Sequence, residues 1–195
     1  MPEGFRIAVI GGSVRPGNYT AKAMALVVDE FAKREVAVDA IDPATLKLPG
    51  PGLDEESPDA EKLQASVAAA TGVVLCTPEY HGSFSSVIKL VIENLGFPSA
   101  LAGKPVALLG VAAGAIGAIK SLEHLRSVCG HVGAIVLPAL VSVADVQKVF
   151  APDGRCLDAR VEKRVRGVAA GLVDYIKQNV CPRVTLERML RENAV

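Results

Sequence analysis

Three short stretches of this chain hold residue types suited to binding and chemistry. The first is Gly11–Thr20 (GGSVRPGNYT), directly after the apolar run Arg6–Ile10. Ser13, Asn18 and Thr20 can donate side-chain hydrogen bonds, Arg15 can add charge-assisted ones, and the glycines let the backbone turn toward an oxyanion. A helical pattern takes over at Thr20. The first N–H groups of a helix lack intrahelical partners, and the helix dipole is positive there. Strand, polar turn and helix start therefore form an anion site, with a phosphate as the expected guest. The plainer reading of the same residues is a strand-to-helix turn capped by Asn18 or Thr20. Rival phosphate motifs are absent. The glycines at 11, 12 and 17 do not spell GxGxxG, the turn has no lysine for a Walker loop, and it has no cysteine for a phosphatase loop.

The second stretch is Thr77–Ser86 (TPEYHGSFSS), after an apolar run ending at Cys76. Pro78 restricts Thr77 and is expected to end the strand. Gly82 permits close backbone approach. Tyr80 and His81 offer flat rings with polar edges beside exposed amides, which suits a planar heterocycle. His81 reads either as a general acid/base or as a plain loop histidine. Glu79 reads as an acceptor for a ring or sugar, or as a solvated or intersubunit charge. The third stretch is Val111–Gly117 (VAAGAIG), whose small residues leave room for a flat ligand or pack a tight turn. His124 and His131 have no evident partner and read as structural.

These stretches need a frame to converge. Nearly continuous apolar runs predict strands at Arg6–Ile10, Glu35–Ile41, Gly72–Cys76, Val106–Val111 and Ala134–Leu137. Helical patterns fall between them at Ala21–Lys33, Asp59–Ala70, Ser85–Asn94 and Gly117–Cys129. A long helix follows at Asp158–Gln178, with a short helical tail near Thr185–Arg191. Ile41–Pro58, rich in Pro, Gly and acids, reads as a long surface loop. Such alternation implies an α/β three-layer sandwich: a five-stranded parallel sheet in the flavodoxin-like order 2-1-3-4-5, with helices on both faces. Ligands then bind beyond the carboxyl ends of strands one and three, where the three stretches meet.

Composition bounds the rest. The chain has 195 residues, half of them hydrophobic, and a formal net charge of zero. One domain over 1–195, with 181–195 as a C-terminal tail, fits that length. The neutral balance argues against nucleic acid or a membrane surface as partner. No apolar stretch is long enough to span a bilayer, and the N-terminus lacks a signal-type pattern. The four cysteines are scattered, without metal spacing, and read as reduced thiols of a cytoplasmic protein.

GSVRPGNYT and TPEYHGSFSSVIKLVIENL together resemble the NADPH-dependent FMN reductase family, which includes quinone, chromate and azo-dye reductases. The likeness runs over about Arg6–Gln178. It implies that Ser13, Arg15, Asn18, Tyr19 and Thr20 surround the FMN phosphate. It implies that Pro78, Glu79, Tyr80, His81, Gly82 and Ser83 border the isoalloxazine, and that Gly114 lies near the ring. It further implies NADPH or NADH as electron donor, a small-molecule acceptor, flavin N5 rather than a side chain as the centre of hydride transfer, and a homodimer or homotetramer. Asn18 and Thr20 stand where the family has serine and asparagine, with a donor kept at each. His81 stands where asparagine is common. Two other readings remain open at this point. One is a flavin-free NAD(P)-binding dehydrogenase using Asp39 or Asp42 for a ribose hydroxyl. The other is a non-enzymatic electron carrier or sensor.

Overall fold

The computed structural model describes residues 5–53 and 56–192. Expectations that touch residues 1–4, 54–55 and 193–195 lie outside the described residues. These concern the N-terminal signal, the middle of the long loop, and both ends of the 1–195 span with its tail.

Among the described residues, seven strands are present: β1 (Arg6–Gly11), β2 (Ala37–Ile41), β3 (Gly72–Tyr80), β4 (Ser83–Phe84), β5 (Pro105–Val111), β6 (Ile135–Val136) and β7 (Val141–Val143). The sheet order is β2-β1-β3-β5-β6, with β7 also beside β5 and β4 beside β3. All pairs are parallel except β3–β4. The helices are α1 (Tyr19–Lys33), α2 (Pro58–Ala69), α3 (Ser86–Glu93), α4 (Ile119–His131), α5 (Val146–Val149), α6 (Ala159–Tyr175) and α7 (Cys181–Glu192).

The two-residue period of the strands sorts their side chains into two cores. Ile7, Val9, Val74 and Leu109 pack with Val27 and Phe31 of α1 and with Val165 and Leu172 of α6. Ala8, Ile10, Leu75 and Leu108 pack on the opposite face with α2, α3 and α4, through Leu63, Ile88 and Leu122 among others. Covering both faces is what makes the strands read as unbroken apolar runs, and it gives the flavodoxin-like α/β sandwich. Arg166 of α6 ties α1 in place by pairing with Asp29. Lys33 and Arg166 together hold the Asp29 carboxyl below its ordinary range.

Four details differ from the sequence expectations. The second strand starts at Ala37, not Glu35, because α1 closes with Glu35 in the left-handed region (φ 57°), where Val36 N–H reaches Phe31 O at 3.1 Å. The third strand does not stop at Pro78. Pro78 is the last residue of β3 paired with β5, and the chain then exchanges that partner for β4. A missing N–H is tolerated at such a changeover. The fifth strand is split into β6 and β7, because four residues, Leu137–Leu140, stand opposite two of β5. Finally, the long helix and its tail form one helical path, joined by a π-helical turn at Ile176–Val180 rather than a break.

Candidate functional site

The anion-suited turn is built by β1 delivering the chain to α1. Gly12 is required there by packing rather than by turning. A Cβ on it would lie 2.6 Å from Cys76 O and 2.8 Å from Ile88 Cγ1. Asn18 is the N-cap of α1: its Oδ1 accepts Ala21 N–H (2.7 Å) and its Nδ2 donates to Arg15 O (2.7 Å). Ser13 Oγ is 3.4 Å from Arg15 N–H, which it accepts. These side chains shape the turn. Among the described residues, no acceptor is found for the Tyr19 and Thr20 N–H groups, and Arg15 has no ion pair. The Arg15 guanidinium is exposed to solvent.

The second stretch is a hairpin. Tyr80 pairs with Ser83, and the two linking residues, His81 and Gly82, both have positive φ (50° and 75°), as a type I′ turn demands. Histidine, like asparagine, tolerates this region better than most residues other than glycine. Two buried hydroxyls bolt the hairpin to the first turn. Thr77 Oγ1 accepts Ser85 N–H (3.1 Å), and Ser85 Oγ donates to Gly12 O (2.6 Å) while accepting Ile88 N–H to cap α3. Glu79 is not an idle charge. Its Oε2 accepts Ser121 N–H at 3.3 Å, supplying the cap that Ala118 does not give α4.

The third stretch is laced to a segment that sequence reasoning passed over. Ala112 N–H donates to Val143 O (2.9 Å), Val146 N–H to Ala112 O (3.1 Å) and Asp145 N–H to Gly114 O (3.2 Å). The signal for it was the alternation in Val141–Val143, too short to stand out beside Pro138.

These elements enclose an open cleft of about 400 Å³. Arg15, Gly17, Asn18, Tyr19 and Thr20 line it. Pro78, Glu79, Tyr80, Ala112, Ala113 and Val146 line it as well. Of the residues singled out from sequence, Ser13 opens instead onto a neighbouring groove between α1 and β2, and His81, Gly82, Ser83 and Gly114 support the rim without lining the cleft. Thr77, Ser85, Ser121 and Val146 were missed. The Cys76 thiol, fully buried beneath the cleft, is pushed up to about 12 by burial and offers no nucleophile. No cluster of metal-ligating side chains occurs among the described residues. No helix among them is long and apolar enough to cross a membrane.

Of the two acids weighed for a ribose, Asp39 is engaged by neighbouring side chains, whereas Asp42 also lines the groove between α1 and β2. Asp39 is paired with Arg6 and accepts from Ser66 Oγ (2.8 Å), and Asp42 accepts Ala44 N–H (2.9 Å). The helices α3 and α6 turn their apolar sides inward. Ile88, Val91 and Ile92 of α3, and Val165, Ala169 and Leu172 of α6, are buried in the core.

A family profile described as NADPH-dependent FMN reductase matches residues 5–148. The chain belongs to that family. Among relatives, an NADPH azoreductase of Bacillus sp. (strain OY1-2) is 35% identical over 140 residues, 70% of this chain and 75% of that one. A 2-hydroxy-1,4-benzoquinone reductase of Burkholderia sp. is 31% identical over 137 residues, 68% of this chain and 74% of that one. Among solved structures, the flavoenzyme NAD(P)H:(acceptor) oxidoreductase FerB from Paracoccus denitrificans superposes with a TM-score of 0.73 at 24% identity, covering 89% of this chain and 98% of that one. It shares the fold. As an NADPH-dependent FMN reductase family member, the chain is an oxidoreductase of a flavin- and NAD(P)H-dependent group.

Proposed function

We propose that this protein holds FMN in the cleft and passes electrons from NAD(P)H to quinones or azo compounds, with metal oxyanions and free flavin as further candidate acceptors. One observation supports this above all: the start of α1 with Arg15, the hairpin residues Pro78–Tyr80 and the small residues Ala112 and Ala113 line a single cleft. The cleft's size lies within the range that holds a cofactor of this kind. The donor set also fits. Arg15 and the N–H groups of Tyr19 and Thr20 meet the phosphate. Ser13 and Asn18 shape the turn around it. Pro78, Glu79 and Tyr80 border the ring on one side, with His81, Gly82 and Ser83 holding that border in place. Ala112 and Ala113 floor the other side, and Gly114 steadies them.

FMN, when bound, supplies hydride acceptance at N5 and onward electron transfer. The protein's part is binding, orientation and access. With FMN bound, backbone N–H groups of the Glu79–Gly82 stretch would stabilise charge at the ring edge. The small side chains of Ala112 and Ala113 leave the ring face open to a second planar molecule. No side-chain acid or base is assigned, in keeping with His81 lying outside the cleft lining.

The chain works as a homodimer or homotetramer. Phe97, fully exposed, and the exposed Ile116 and Ile119 are better contact candidates than the inward-facing helices. A cytoplasmic setting suits its four free cysteines. Steady oxidation of NADPH or NADH by the FMN-loaded protein, dependent on an added quinone or azo dye, tests this reading. Failure of every such acceptor to turn over would exclude it in favour of a carrier or sensor.

A further inference from the structure

The hairpin that shoulders the cleft is gripped from outside by the first turns of α4. The Lys120 stem covers the turn, since a Cβ on Gly82 would lie 3.8 Å from Lys120 Cδ. Ser121 N–H donates to Glu79 Oε2 at 3.3 Å. His124 Nδ1 lies 3.2 Å from Ser83 Oγ, within hydrogen-bond reach. Lys120 and His124 stand one helical turn apart and so share a face. Ser83 is directly opposite Tyr80 in the hairpin, and Tyr80 lines the cleft. A shift of Ser83 is therefore passed across a two-residue turn to the cleft wall.

We infer that His124 is a positioning residue. Through Ser83, it sets how closely the Tyr80 shoulder approaches the ring end of the cleft. The inference rests on the reading of that cleft as the FMN site. β4 has only two residues, and a hairpin that short has no stable position of its own. Its placement comes from what it touches, and the Thr77–Ser85, Ser85–Gly12 and Glu79–Ser121 contacts fix the end nearer the sheet. The His124–Ser83 contact fixes the far end. Because His124 is exposed, water competes for the bond, and its loss costs little global stability. The effect falls on the local fit.

The test uses the full chain, with FMN and riboflavin as probes, and compares His124→Leu, Ser83→Ala, the double variant and His124→Asn. His124→Leu and Ser83→Ala are each expected to weaken both flavins alike, about three- to fivefold, as one solvent-exposed hydrogen bond allows. Each should also shift the absorption band of bound flavin while leaving the melting temperature unchanged. The double variant should be no worse than either single one. Asparagine, which keeps a polar atom near the place of Nδ1, should restore affinity and spectrum. Additive losses in the double variant, unchanged affinity and spectrum in both singles, or failure of asparagine to restore them would overturn the inference. If His124→Leu does not fold, Ser83→Ala alone carries the comparison. A wild-type protein that binds neither flavin would instead overturn the reading of the cleft itself.

Discussion

Replacing Arg15 by alanine isolates the phosphate end of the cleft. Arg15 is exposed and, among the described residues, makes no ion pair, so its removal leaves no orphaned partner in the protein. A hydrogen bond to a charged group contributes about 1.5–3 kcal/mol, and solvent exposure places this one at the lower end. A loss of about 1.4 kcal/mol corresponds to a roughly tenfold rise in Kd for FMN. Binding is weakened rather than abolished, because the Tyr19 and Thr20 N–H groups and the dipole of α1 remain. Riboflavin has no phosphate, so its Kd should stay unchanged. The contribution is also screened by salt. The preference of the wild type for FMN over riboflavin should shrink between about 10 mM and 1 M salt, and Arg15→Ala should flatten that dependence. Fluorescence titration of both flavins reads all of these quantities. Equal weakening of FMN and riboflavin would refute the placement of the phosphate at this turn.

Other consequences bear on the scaffold. Gly12→Ala forces a Cβ against Cys76 O and Ile88, and should cost about 2–3 kcal/mol in urea unfolding. Glu35→Gly relieves a left-handed non-glycine residue at the end of α1 and should raise stability by about 0.5–1 kcal/mol in the same assay. The Cys76 and Cys129 thiols are both raised from 9.0 to about 12 by burial. Above pH 9 the unfolded chain releases protons that the native one keeps. Stability should therefore be intact below pH 9 and fall toward pH 12, by about 1.4 kcal/mol per pH unit for each thiol. Cys129→Ala should remove one such share from the slope of stability against pH.

Much of the frame was legible because its signals are local and repeated. Parallel strands covered on both faces must be apolar throughout, and Arg6–Ile10, Gly72–Cys76 and Val106–Val111 show this directly. The turn after β1 was legible because charge, hydroxyls and glycines crowd together before a helix. What escaped depends on distant partners. Asn18 offered two roles in sequence, and only its contacts with Arg15 and Ala21 show the amide engaged in the cap. His124 finds Ser83 from 41 residues away, a pairing no local pattern announces. Pro78 looked like a strand end because the rule about proline concerns one partner, whereas β3 changes partners at that residue. The fifth strand was half seen, since β7 has three residues and is recognised only by its register on Leu109–Val111.

On the proposed reading, the cleft between Arg15 and Tyr80 takes up FMN and lets a nicotinamide donor reduce it there. The most direct measurement is the absorption spectrum of the FMN-supplied protein, freed of unbound flavin, before and after NADPH under nitrogen. The expected result is a retained flavin band that bleaches with NADPH and returns when a quinone is added. A protein that retains no flavin after exposure to excess FMN would contradict it.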